Sequence, residues 1–149
     1  MLSTPSAGWA DITIGSFSDR CSYIEDIPNL LLDAFITRAR KRVPVAIEID
    51  AEGYEYTIVL GTDVIHIISE IENDGSIIYK LTTPNVDFSD LAREMISDLR
   101  LDIDAGANWD MSGNKKAICE AKEAILAKCK KLEMELIPIL SGLPINEQP

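Results

Sequence analysis

The chain is poor in the residues that do chemistry. It has a single histidine, His66, and three cysteines in 149 residues. No G-x-S-x-G, H-E-x-x-H, C-x-x-C or glycine-rich phosphate loop occurs in it. The side-chain sets of triad hydrolases, zinc enzymes, dithiol redox proteins and P-loop enzymes are therefore missing. The sequence predicts a non-enzymatic protein with no catalytic residue, no metal ligand and no cofactor. Basic residues are scarce as well: 14 Lys plus Arg stand against 25 Asp plus Glu, a net charge of −11. So acidic a surface repels nucleic acid and anionic membrane, which excludes both as direct partners. No stretch reaches the roughly 18 apolar residues of a spanning helix, and Met1 to Trp9 lacks a basic region followed by an apolar run. A cytoplasmic location is expected. An odd number of cysteines, with Cys119 and Cys129 about 15 Å apart along one predicted helix, points to reduced thiols. Cys21, Cys119 and Cys129 are expected to pack as small hydrophobes, the last two on the core side of their helix.

With 8 Gly, 7 Pro and 46% hydrophobic residues, the composition is globular. The length suits one domain that buries about two-thirds of its unfolded surface. The expectation is a single α+β domain over 1–149, with 1–8 and 141–149 as irregular tails.

Ile12 and Ile14 alternate with polar neighbours between Trp9 and Phe17 and suggest a first strand. After a loop containing Cys21 and Tyr23, Asp26 can cap a helix that tolerates Pro28 in its first turn. Leu31, Leu32, Phe35, Ile36 and Ala39 form its apolar face. Arg38, Arg40, Lys41 and Arg42 crowd its last turn, where the helix dipole favours cations, and Pro44 stops it.

Val45 to Thr82 reads as a four-stranded antiparallel meander. Val45, Ile47 and Ile49 alternate up to a two-residue turn at Glu52-Gly53, and Tyr54, Tyr56, Ile58 and Leu60 resume the alternation. This register sets Ala51 opposite Tyr54, Ile49 opposite Tyr56 and Ile47 opposite Ile58. Gly61-Thr62 turns the chain into a strand bearing Ile65 and Ile67. A three-residue turn, Asn73-Asp74-Gly75, then brings Ile77, Tyr79 and Leu81 to the same inner side. Val59, Val64, Ile68 and Ile78 fall outside with His66 and Lys80, and the last helix is the expected cover for that outer face. Phe88, Leu91, Ala92, Met95, Ile96 and Leu99 mark an amphipathic helix from Asp87 or Ser89 to about Leu101. A polar loop, Asp102 to Gly113, leads to a helix from Asn114 to about Ile137, striped with Ile118, Ala121, Ile125, Cys129, Leu132 and Leu136 and stopped or kinked by Pro138. The overall expectation is β-α-β-β-β-β-α-α, with about five antiparallel strands in one sheet and the helices packed on it.

The negative charge is concentrated. Residues 47–110 hold fifteen acids and three bases. In the predicted hairpin Asp50 lies opposite Glu55, with Glu48 on the same face and Glu52 at the turn. Like charges facing each other across a strand pair are destabilising. Either the face is simply solvated, or the cluster is held there to meet a basic partner. Asp102, Asp104 and Asp110 in the polar loop could join it. Their spacing resembles a calcium loop only in part, because an EF-hand needs glycine at the sixth position, here Ala107, and a bidentate glutamate at the twelfth, here Gly113.

The segments G-W-A-D-I-T-I-G-S-F (Gly8 to Phe17), S-Y-I-E-D-I-P (Ser22 to Pro28) and D-A-E-G-Y-E-Y (Asp50 to Tyr56) resemble small bacterial proteins of the immunity type, from polymorphic or contact-dependent growth inhibition toxin systems. The resemblance covers the first sixty residues. It implies a toxin inhibitor that works by protein-protein interaction. No residue role carries over from it; the placement of charge is what suggests an acidic protein that binds and occludes a basic toxin domain, a nuclease, through Glu48, Asp50, Glu52, Glu55, Asp102, Asp104 and Asp110. The alternative reading is a small-molecule or cation-binding module, or an enzyme of unrecognised type, using a pocket between helix and sheet and the Asp102 to Asp110 loop.

Overall fold

A computed structural model describes residues 1–109 and 113–141. In chain order the elements are β1 (Trp9–Ile14), β2 (Phe17–Ser22), α1 (Ile27–Lys41), β3 (Val45–Asp50), β4 (Glu55–Leu60), β5 (Ile65–Asn73), β6 (Ser76–Thr82), α2 (Phe88–Leu101), α3 (Ile103–Ala107) and α4 (Lys115–Leu140). They build two antiparallel sheets, β1-β2 and β3-β4-β5-β6, with four helices packed against them. The class is α+β, as expected, with one strand more than expected and two sheets in place of one.

The extra strand is β2. Its sequence shows little alternation, and pairing defines it: Ala10 lies opposite Cys21 and Ile12 opposite Asp19. On the far side of β1, Leu2 bridges to Ile12, and Thr13 N–H donates to the Met1 carbonyl at 2.8 Å. The first residues, expected as an irregular tail, thus run alongside β1. The Met1 ammonium donates to Glu94 Oε1 at 2.6 Å and Asp98 Oδ2 at 2.8 Å on α2.

Helix α1 begins as its sequence suggests. The Asp26 carboxylate accepts from Asn29 N–H, Pro28 sits in the first turn, and Arg42 ends the helix in the left-handed region with φ 51°. Its end departs from expectation in one side chain. Arg38 is buried, donating Nε to the Gly61 carbonyl at 2.9 Å and Nη2 to the Thr62 carbonyl at 2.5 Å. That arginine fastens the β4–β5 turn to the helix, while Arg40 and Lys41 remain in solvent.

In the meander the β3–β4 register is as expected, Ile47 opposite Ile58, Ile49 opposite Tyr56 and Asp50 opposite Glu55. Ile47, Ile49, Tyr56, Ile58, Ile65 and Ile67 are buried on the inner face, joined by Phe35 of α1 and Met95 of α2 in one core. Phe17 of β2 reaches this core, its ring centroid 5.4 Å from that of Tyr56.

The last strand is turned over relative to expectation. Asn73 pairs with Ser76, so the turn is the two-residue Asp74-Gly75, both at positive φ (49° and 76°), as a type I′ hairpin requires. Dropping one residue from the expected turn moves every β6 side chain to the opposite face. Ile77, Tyr79 and Leu81 therefore lie outside, opposite Glu72, Glu70 and Ile68, while Ile78 and Lys80 fall on the inner side. Tyr79, expected in the core, is 64% exposed.

Three further expectations give way. Within the polar segment after α2, Asp102 caps the short α3. Helix α4 continues through Pro138 to Leu140, and it packs on α1, α2 and α3, leaving the outer face of the sheet without it. Cys119 faces solvent, one position off the buried stripe of Ile125, Cys129, Leu132 and Leu136.

Candidate protein-binding face

The structure sorts the acids of residues 47–110 by use. On the helices they are engaged. Asp87 caps α2 by accepting from Ser89 N–H at 2.7 Å, Asp90 pairs with Arg93, and Glu94 and Asp98 hold the Met1 ammonium. Asp102 accepts from Ala105 N–H at 3.2 Å, and Asp104 meets Lys122 Nζ at 2.7 Å. These two loop carboxylates thus serve α3 and its tie to α4; Asp110 lies outside the described residues. No three His, Cys, Asp or Glu side chains among the described residues come together as a metal site.

On the sheet the acids are arranged differently. Asp50 faces Glu55 on the outer side of β3 and β4, with Glu48 one step along on the same face. The last β4–β5 pair is Tyr56 with Ser69; one residue further, Glu70 comes level with Glu55. Across β6, Glu70 stands opposite Tyr79, and Glu72 opposite Ile77. A row of three carboxylates, Asp50, Glu55 and Glu70, therefore runs across the outer face and ends at Tyr79. The parallel row carries Glu48, Thr57, Ile68 and Leu81. No Lys or Arg occupies an outer position of these four strands, whose one histidine, His66, bonds through Nδ1 to the Thr83 hydroxyl at 3.0 Å.

Asp50 also accepts from Glu52 N–H at 2.6 Å, which steadies the turn. The Glu52 carboxylate accepts from the Ser22 hydroxyl at 2.5 Å and is drawn toward β2, beside Tyr54, whose hydroxyl donates to Asp19. Among the described residues no ion pair or hydrogen bond occupies the carboxylates of Glu48, Glu55, Glu70 and Glu72. Four uncompensated charges on one face repel one another and make a negative surface potential that a basic protein would relieve.

The same face has an apolar margin. Ile77, Tyr79 and Leu81 are 63%, 64% and 62% exposed, and every residue from Ile71 to Leu81 is open to solvent. Large apolar side chains exposed side by side and rimmed by polar groups mark an interaction surface, and here the carboxylates form the rim. Of the residues expected at the site, the structure brings Glu48, Asp50 and Glu55 together, sets Glu52 at the edge, and separates Asp102 and Asp104 onto helices. Glu70 and Glu72 share the outer face of β5 with His66 and Ile68, as the alternation of Ile65 and Ile67 implies, but were not among the expected site residues; Tyr79, Ile77 and Leu81 were expected on the inner side. The signal for the β6 residues lay in Asp74-Gly75, which is itself a sufficient hairpin turn.

A concavity of about 240 Å³ lies between the start of α1, α3 and α4, lined by Tyr23, Asp26, Asn29, Trp109 and Ile118. Its one carboxylate, Asp26, is committed to Asn29 through both oxygens. No catalytic pairing forms there among the described residues. Comparison with models of protein families, with curated proteins and with solved structures finds no match to this chain.

Proposed function

We propose that this chain is a non-enzymatic immunity protein, which binds a basic toxin domain, a nuclease, in the cytoplasm and occludes its active cleft. The observation that supports the reading is the sorting of the acids within residues 47–110: those on the helices of that segment are engaged, whereas Glu48, Glu55, Glu70 and Glu72 stand unneutralised on one sheet face beside exposed apolar side chains. A nuclease must present cations to its phosphate substrate, and a face of carboxylates competes for them. Opposite charge also steers the two proteins together quickly, which suits an inhibitor that must act before damage is done.

The test is co-expression with the product of the adjacent upstream gene and measurement of complex formation at low and high salt. A complex that weakens with salt, and that Asp50→Lys with Glu55→Lys disrupts by several kcal/mol, is expected, since close charge pairs at such interfaces couple by about 1.5 to 7 kcal/mol. Absence of a complex, or one indifferent to both salt and charge reversal, rejects the reading.

A further inference from the structure

Resting on the binding face just described, we infer that its partner docks by adding an extended basic segment to the free edge of β6, so that the four-stranded sheet continues into the partner. In the sheet order β3-β4-β5-β6, strand β6 has a neighbour on one side only. Asn73 and Ser76 close the two-residue turn, so the hydrogen-bonded pairs of this hairpin alternate from there. Ser76, Ile78, Lys80 and Thr82 spend their backbone groups on β5. Ile77, Tyr79 and Leu81 direct N–H and C=O outward along the open edge. Such an edge is a template for another strand unless something blunts it. It contains no proline and no bulge, and its residues through Leu81 are all exposed; its one charged side chain, Lys80, lies on the inner side, where it guards that side against a cationic or self-pairing strand while leaving the outward N–H and C=O groups open.

The side chains specify the chemistry of the added strand. On the outer face an incoming residue would lie about 4.8 Å from Tyr79, with Glu70 one strand beyond. An arginine or lysine there can lie across the Tyr79 ring and reach the Glu70 carboxylate, a cation–π contact ending in a charge pair. Its neighbours at period two would meet Ile77, beside Glu72, and Leu81, beside Ile68. On the inner side the adjoining positions are Ile78 and Lys80, which suit short apolar residues and disfavour cations. The occupant is therefore an alternating basic and β-branched strand. A second copy of this chain fits poorly, since it would bring its own −11 charge.

The experiment uses two peptides of one composition, acetyl-RVRVRVR-amide and acetyl-RRRRVVV-amide, titrated into the intact protein with backbone amide resonances as the readout. The alternating peptide should bind about tenfold or more tighter than the blocked one. It should also slow amide exchange at Ile77, Tyr79 and Leu81. Tyr79→Pro removes an outward N–H without touching the β5 ladder, and prolines are tolerated on such edges. It should abolish the preference for the alternating peptide, while Tyr79→Ala retains part of it. Thermal melting of both variants checks that the fold is intact. Equal binding of the two peptides, unaffected by Tyr79→Pro, would overturn edge docking and leave plain attraction to the acidic face, in keeping with the immunity reading. Binding of neither peptide would overturn edge docking, while the immunity reading is judged by the co-expression complex. A concentration-dependent dimer lost in Tyr79→Pro would assign the edge to a second copy and also overturn it.

Discussion

The Arg38 guanidinium lies 4.5 Å from the centroid of the Phe88 ring, sandwiched between the start of α2 and the turn it holds. Phe88 in turn stacks on Phe35 at 5.3 Å. One side chain therefore joins α1, the β4–β5 turn and α2. Arg38→Lys keeps the charge but replaces a planar two-bond fork with a point donor that cannot stack equally well. It is expected to cost about 1.5–3 kcal/mol, the range for hydrogen bonds made by a charged group. A shift of the urea midpoint at unchanged slope measures it.

The cysteines should differ sharply in reactivity. Burial pushes the Cys21 thiol up to about 12, and pushes Cys129 upward as well, whereas Cys119 is exposed. Only thiolates react with disulfide reagents. At mildly alkaline pH one thiol should react promptly, mapped by mass spectrometry to Cys119, and the other two only in denaturant. A disulfide between Cys119 and Cys129 would show that α4 is broken between them.

Two buried donors, the Tyr56 hydroxyl and the Trp109 indole N–H, have no hydrogen-bond partner among the described residues. An unsatisfied buried polar group is a cost, so removing the hydroxyl while keeping the ring should relieve it. Tyr56→Phe is expected to leave stability unchanged or to raise it by up to about 1 kcal/mol. Loss of more than that amount on chemical denaturation would mean that the hydroxyl is bonded.

Arg100 grips Glu133 with both nitrogens, at 2.6 and 2.8 Å, linking α2 to α4 and holding the Glu133 carboxyl below its ordinary range. A carboxylate whose folded value is depressed contributes stability above its unfolded value, near 4.3, and loses it as pH falls through the folded value. Both side chains are nearly half exposed, so screening keeps the contribution to a few tenths of a kcal/mol, by about the usual measure of such pairs. Glu133→Gln should lower stability slightly at neutral pH and make no difference at pH 2, read from melting curves at the two values.

The β3–β4 hairpin was legible because its inner and outer positions differ in chemistry: Ile47, Ile49, Tyr56 and Ile58 against Glu48, Asp50 and Glu55. In β6 the adjacent Ile77 and Ile78 are both apolar and Tyr79 is amphipathic, so alternation could not choose a face. The turn was the sole guide, and Asn73-Asp74-Gly75 permits two readings. Strand β2 was hidden because Ser18, Asp19 and Arg20 carry no burial pattern; their conformation comes from pairing with β1. Arg38 looked like Arg40 because a helix-terminal cation gains from the dipole whether or not it is buried. What separates them is a turn more than twenty residues away in sequence. The charge density of the site was visible in the sequence, but the division of its acids into engaged and unengaged required the helix caps and ion pairs.

The Asp74-Gly75 turn makes the content of the outer face a matter of parity. Because β6 contributes almost nothing to the core, one inserted residue at the turn would exchange its two sides without opening a cavity: Ile77, Tyr79 and Leu81 would leave the acidic face, and Ile78 and Lys80 would enter it. The new face would carry a cation beside the carboxylates and so lose part of its negative potential. The length of a single turn thus decides which side chains stand beside the carboxylates, with every strand residue kept.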